Sequence, residues 1–177
     1  SDLDLVNRMA GENILFDRDE VHEIYKEWRK LFNQYDPPRV AVAEAYVPAD
    51  RLALYASEEE LGQAFNFDLL LAEFEAETYR EIVTRNLAAA TKYGSSSTWV
   101  FSNHDQVRPA TRYGLPIGSN ITEFKNSNGT NLPLDVERGI RASIAAQMFA
   151  LALPGCTYIY QGEELGLPEA WQLEAKY

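Results

Sequence analysis

The sequence predicts an α/β fold built on parallel strands, and three stretches carry that reading. Residues 40–46 (VAVAEAY), 99–106 (WVFSNHDQ) and 156–166 (CTYIYQGEELG) each open as an apolar, β-branched or aromatic run and stop abruptly in polar and acidic groups. A buried parallel strand reads this way when its C-terminal end opens into a site. Segments of helical periodicity lie between the runs, and such alternation implies parallel strands joined by right-handed crossovers. About four strands with flanking helices are expected.

Taken in order, Asp17 and Glu20 have the spacing of a capping box, with Asp in place of the usual hydroxyl residue. Val21, Ile24, Tyr25, Trp28, Leu31 and Phe32 then recur at helical spacing, predicting a helix over 18–32 that Pro37 and Pro38 close off. A strand over 39–47 follows. Pro48, with its fixed φ, suits the first turn of a short helix over Ala49–Tyr55. Residues 62–70 (GQAFNFDLL) read as a second strand ending near Phe67 and Asp68. A long helix over 73–92 turns Phe74, Ile82, Val83 and Leu87 inward and stops at Gly94. Ser95, Ser96 and Ser97 link it to a third strand over 98–102.

Residues 107–132 are rich in Gly, Asn, Ser and Thr and too long for an idle connection; such loops are usually functional or disordered. Pro133 begins another helix, with Val136, Ile140, Ile144, Met148 and Leu151 expected on its inner face. That helix ends at Pro154 and Gly155, and residues 156–160 form the fourth strand. The sequence contains no internal repeat.

The 177 residues are 46% apolar and 24% charged, ordinary values for a soluble globular domain. The net charge of −11 argues against nucleic-acid partners and anionic membrane surfaces, and fits a cytoplasmic protein. The apolar stretch over 151–160 is interrupted by Pro154 and Gly155, too short to span a bilayer. Residues 1–9 (SDLDLVNRM) have neither the basic nor the apolar region of a signal peptide, and no initiating Met. The chain therefore reads as part of something longer. Its single cysteine, Cys156, excludes an internal disulfide and is expected to be a buried structural thiol. The two histidines are His22, expected in solvent on the polar side of the first helix, and His104. No metal-ligand motif and no glycine-rich phosphate loop occurs, so neither metal nor cofactor is expected. Asn120 and Asn128 begin glycosylation sequons, read as chance without a secretion signal.

Glu44 is the sharpest single residue. A carboxylate ending an apolar strand costs several kcal/mol if buried without partners. At the mouth of a parallel sheet, partial burial raises the carboxyl toward the range a general acid needs. The alternative is a strand-end Glu paired with an Arg on the rim, and spacing alone does not decide between them. Asn103, His104, Asp105 and Gln106 crowd the end of another strand. There His104 can donate to sugar hydroxyls and Asp105 can grip a hydroxyl pair, or the four simply form a turn. Arg108 either orients Asp105 or is a surface cation. Glu163 and Glu164 are read as acids welcomed at a helix N-terminus.

At these residues the chain resembles the C-terminal half of the catalytic barrel of the α-amylase family of glycoside hydrolases, in its bacterial α-glucosidase and oligo-1,6-glucosidase branch. AVAEAY resembles the family's strand five, whose Glu is the general acid/base, and maps onto Glu44. FSNHDQVR resembles strand seven, whose His and Asp bind the sugar; these map onto His104 and Asp105, the latter as transition-state stabiliser, with Arg108 as a further substrate contact. AFNFDLL resembles the sixth strand, and ATRYG and YIYQGEELG are typical of the glucosidase branch. The resemblance covers roughly residues 16–168. It implies half of a TIM (β/α)8 barrel, with family strands five to eight in one partial domain over 1–177.

The implied chemistry is retaining hydrolysis of α-glucosidic bonds in oligosaccharides of the maltose or isomaltose type. The family's nucleophilic Asp ends strand four in a segment reading roughly G-x-R-x-D, which this sequence lacks; Asp68 lies on the wrong strand. The isolated chain is thus expected to be inactive, and calcium, bound by some members through upstream loops, has no ligand set here. Four of eight strands leave two open edges, so either self-association or unordered loops are expected. The rivals are a transglycosylase of the amylosucrase or trehalose synthase type and a non-catalytic amylase-like transporter subunit. Retention of Glu44, His104 and Asp105 weighs against the last.

Overall fold

Four strands lie in one sheet in the order β1-β2-β3-β4, so neighbours in sequence are neighbours in space. The protein is described here from a computed structural model, which describes residues 16–171. The chain divides into two compact units, one of Ser1–Phe67, Glu81–Trp99 and Pro154–Cys156, the other of Asp68–Arg80, Val100–Leu153 and Thr157–Tyr177.

The first unit begins with α1 (Asp19–Phe32), β1 (Ala41–Ala43), α2 (Ala49–Tyr55) and β2 (Gly62–Asn66). β1 pairs with β2 in parallel, Ala41 against Gly62 and Ala43 against Ala64. β2 pairs in parallel with β3 (Thr98–Val100), Phe65 against Thr98 and Asn66 against Trp99. β4 (Cys156–Tyr158) joins through Cys156 N, which donates to Ser97 O at 3.0 Å. Gly155 makes that approach possible: at φ 114° it sits where a Cβ would run into the Ser97 carbonyl. Ala43, Tyr55, Ala56, Leu61 and Ala64 form the core, with Val21, Tyr25, Phe32 and Leu52 packed around them. Small strand residues let the helices come close, and burying Leu61 alone stabilises by about 1.5–3 kcal/mol.

Several boundaries differ from expectation, each for a local reason. β1 stops at Ala43 instead of running to 47, because only β2 flanks it and the ladder ends there. The expected strand over 62–70 breaks at Asn66, and α3 (Phe67–Leu71) takes the rest. Leu69 and Leu70 are fully buried on that helix, and a short apolar run suits either structure. The capping box at α1 does not form. Arg18 is the N-cap without a side-chain bond, while Asp17, at φ 50°, turns its carboxylate to Arg51 and Tyr55. α2 occupies the expected residues.

Helix α4 (Ala76–Tyr93) starts three residues later than expected, leaving Phe74 outside it and exposed, while Ile82 is buried and Gly94 ends it at φ 60°. In the second unit the segment over 107–132 is not an unordered loop. It contains α5 (Pro109–Arg112), buried throughout, and α6 (Ile121–Asn126), capped by Asn120 Oδ1 accepting from Glu123 N at 3.1 Å. Helix α7 (Val136–Leu151) begins at an Asp135 cap whose Oδ1 accepts from Arg138 N at 2.9 Å.

The expected inner face of α7 is its outer one. Gly139, Ala142, Ser143, Ala146, Gln147 and Ala150 are buried, while Val136, Ile144, Met148 (68% exposed) and Leu151 (62%) face outward. The reason is close packing against α5: a Cβ at Gly139 would run into the Ala110 carbonyl, so only the small-residue face fits. Around Tyr79 lie Phe74, Phe101 and Phe149, with ring centroids 5.4–5.8 Å from its own, and Tyr113, whose hydroxyl is 2.9 Å from the Tyr79 hydroxyl.

Candidate active site

Glu44 follows directly on β1, at the C-terminal end of a parallel strand. It is exposed rather than half-buried as expected, and no hydrogen bond or ion pair to another described residue holds its carboxylate. The short outer strand accounts for this, since among the described residues no strand flanks β1 on its far side within the sheet. The rim pairing with Arg, the alternative reading, does not form among the described residues. Nearby in the same unit, Tyr46 stacks on Phe67 at 4.3 Å and 24°. That gives the strand end an aromatic floor.

His104 and Asp105 sit in the second unit, on the segment that leaves β3. Their side chains are 71% and 59% exposed, with His104 Nε2 3.4 Å from Asp105 Oδ1. The turn reading is also correct in part. Asn103 Oδ1 accepts from the amides of Asp105 (3.1 Å) and Gln106 (3.0 Å), and Lys125 Nζ donates to Asp105 O at 3.1 Å. Both side chains are thus carried outward on a bonded turn.

Arg108 follows closely, but its guanidinium is engaged elsewhere. Nη1 donates to Gln161 O at 2.8 Å, the group lies over the Tyr160 ring at 5.2 Å, and Arg108 N donates to Glu169 Oε2 at 3.1 Å. Arg108 therefore ties the start of α5 to the YQGEELG segment instead of orienting Asp105.

Glu163 corrects the reading of a surface acid at a helix start. It is 3% exposed inside a 3-10 turn (Glu163–Leu165) flanked by Gly162 and Gly166, both in the left-handed region. Oε2 accepts from Tyr160 N at 3.0 Å, and Oε1 has no partner among the described residues. Burial pushes this carboxyl above the usual carboxylate range, against the Tyr160 amide and the charges of Arg112 and Arg108. The paired glycines were the available signal, since they fold the segment back on itself.

His22 is a second correction: expected in solvent, it is 6% exposed. Its Nδ1 lies 2.8 Å from Glu60 Oε2 and its Nε2 lies 3.1 Å from Arg51 Nη2. A guanidinium only donates, so Nε2 accepts and the ring proton sits on Nδ1, facing Glu60. Arg51 also bonds Asp17 and Asp19, and the Tyr55 hydroxyl donates to Asp17 Oδ1 at 2.7 Å. Burial raises the Glu60 carboxyl, opposed by His22, and raises the Tyr55 hydroxyl, reinforced by Asp17. The cluster binds α1 to α2 and to the turn before β2. An open cleft of about 690 Å³ beside it is lined by Lys26, paired with Glu23, and Arg51, paired with Asp17, together with Glu58, Glu59 and Lys92. Cys156 is half-buried, with Gln63 Nε2 3.3 Å from its sulfur. Among the described residues no group of three or more His, Cys, Asp or Glu could hold a metal, and no helix is long and apolar enough to cross a membrane.

Sequence reasoning also missed Arg112, buried at the end of α5, and the part Asn103 plays in shaping the turn.

Comparison with known proteins follows the same residues. The family model described as the alpha amylase catalytic domain matches residues 2–177. Maltase 1 of Drosophila virilis is 29% identical over 160 residues, 84% of this chain and 21% of that protein. The alpha-glucosidase of Candida albicans is 25% identical over 169 residues, 87% and 26% of the two chains. Among solved structures, the alpha-glucosyl transfer enzyme XgtA matches with a TM-score of 0.63 at 28% identity, covering 87% of this chain and 25% of that one. The chain thus spans about a quarter of the length of these relatives.

Proposed function

The chain belongs to the alpha-amylase family, and from that membership we propose that it is a portion of a retaining α-glucosidase. The substrates are short oligosaccharides of the maltose or isomaltose type, joined by α-1,4 or α-1,6 bonds. One observation carries the reading: Glu44 follows one parallel strand of the sheet, and His104 with Asp105 follows another, within a segment matched throughout to this family. Glu44 first gives its proton to the leaving glycosidic oxygen; as a carboxylate it then takes a proton from the water that releases the sugar. Asp105 accepts from sugar hydroxyls and opposes the positive charge that develops at the anomeric carbon, while His104 donates to a neighbouring hydroxyl. Arg108 contributes at the edge of that subsite. The nucleophile is supplied by a segment outside this chain, and a cytoplasmic location belongs to the same proposal.

In the longer enzyme, Glu44→Gln is expected to lower kcat by about 10²–10⁴-fold, the usual worth of a general acid. A kcat like wild type refutes the assignment. The chain by itself is expected to leave p-nitrophenyl α-glucoside intact, and turnover abolished by Glu44→Gln would show that it needs no further segment.

The similarity to the alpha-glucosyl transfer enzyme XgtA favours a second reading: a transglycosylase using the same carboxylates. Products formed from maltose and isomaltose separate the two: hydrolysis releases two glucose molecules per bond cut, whereas transfer releases one and builds the other into a longer or re-linked oligosaccharide. Self-association of the chain on its own is supported by the open sides of β1 and β4 and by the exposed Trp28, Leu31, Met148 and Leu151. Size-exclusion chromatography giving a clean monomer would remove it.

A further inference from the structure

Arg112 is the last residue of α5 and is 8% exposed. Its guanidinium donates to three main-chain carbonyls: Nε to Val107 O at 3.1 Å, Nη1 to Ala72 O at 3.2 Å and Nη2 to Phe101 O at 3.1 Å. No carboxylate is salt-bridged to it among the described residues; the three carbonyl dipoles, the Tyr113 ring 4.9 Å away and, at longer range, the Glu163 carboxyl meet its charge. Phe101 and Val107 are the residues on either side of the turn over 102–106. One planar cation therefore grips both ends of the segment that carries His104 and Asp105, and fixes those ends to the residue that follows α3.

That segment has little else to hold its direction. The side chains of His104 and Asp105 are mostly in solvent, so packing does not orient them. The turn closes internally through Asn103, and Lys125 of α6 ties the Asp105 carbonyl from the side, while the two ends of the turn are held by Arg112. Three carbonyls converging from separate segments need several donors in one rigid plane. Arginine supplies them; lysine carries the same charge on a single nitrogen.

We propose that Arg112 is a positioning residue: it holds the base of the 102–106 turn so that His104 and Asp105 present their side chains together toward a sugar. The sugar-directed part rests on the glycosidase reading above, whereas the positioning part does not.

The whole chain supplies the test, because the sequence contains two histidines and they lie in separate units. In wild type, the Arg112 guanidinium protons are expected as separate, slowly exchanging resonances; averaged, fast-exchanging protons would overturn the proposal with no mutation required. In Arg112→Lys, the His104 ring signals and the Asp105 and Gln106 amides are expected to shift, with those amides exchanging at least tenfold faster. The His22 ring signals are expected to stay in place, showing that the first unit is intact. A folded Arg112→Lys chain with wild-type His104 signals and wild-type exchange at both amides would also overturn it. These readouts use no sugar, so failure of the glycosidase assignment leaves them unchanged, and their failure leaves that assignment unchanged.

Discussion

The two strand ends that carry the site residues are built on opposite plans. Beyond β3, the backbone of the 102–106 turn is bonded from within by Asn103, from the side by Lys125 and from below by Arg112. Beyond β1, Glu44 stands exposed, without a partner among the described residues, on a strand paired on one side only. His104 and Asp105, the pair proposed to grip the sugar, stand on a turn bonded by its own unit, whereas Glu44, the proposed acid/base, has a strand behind it but no bonded neighbour among the described residues.

That contrast is open to direct attack. The largest effect is expected from Arg112→Met, which orphans three carbonyls and should lower stability by roughly 3 kcal/mol or more. Glu44→Ala should stay within about 0.5 kcal/mol of wild type. Urea titrations of both variants check the difference, and equal losses would erase the contrast. Asn103→Ala removes the acceptor for two amides and should cost about 1 kcal/mol, accompanied by faster exchange of those amides. Unchanged exchange would mean that the turn is held without Asn103.

Glu163 sharpens the comparison from the pH side. Its carboxyl is raised by burial, so the folded chain holds that proton more tightly than the unfolded chain does. The group favours folding below the ordinary carboxylate value, and this contribution is lost as the pH rises through the raised folded value. Glu163→Gln should therefore gain about 1 kcal/mol at neutral pH, with the gain fading toward pH ~4. A stability difference that does not change with pH would show that the carboxyl is already solvated. The smallest effect is expected from Met148→Lys with Leu151→Glu on the outer face of α7, within about 0.5 kcal/mol of wild type in stability. The same pair should reduce any self-association seen by size-exclusion chromatography.

Much of this was legible in the sequence, because an apolar run that stops in polar residues records where a buried strand ends. The strand ends before Glu44 and before His104 and Asp105 were legible that way, as was the parallel sheet, while Pro48 marked the start of α2. The misses share a different cause. His22 looked solvent-facing because its partners, Glu60, Arg51 and Asp17, reach it through the fold and not through local spacing. Residues 67–70 read as a continuation of the second strand, because a short apolar run does not separate strand from helix; the ladder stops at Asn66 and α3 takes them. Arg112 drew no reading of its own, since no spacing rule announces three carbonyls converging on one guanidinium.

Helix α7 carries one more consequence, for how this chain can change by mutation. Its buried side is made of residues with almost no side chain to lose, set against backbone that leaves no room for more. Substitution should accordingly be tolerated at bulky Ile144 and Met148 and rejected at Gly139 and Ala146. Along this helix, tolerance runs opposite to hydrophobicity, and drift would rewrite the greasy positions while the small ones stayed fixed.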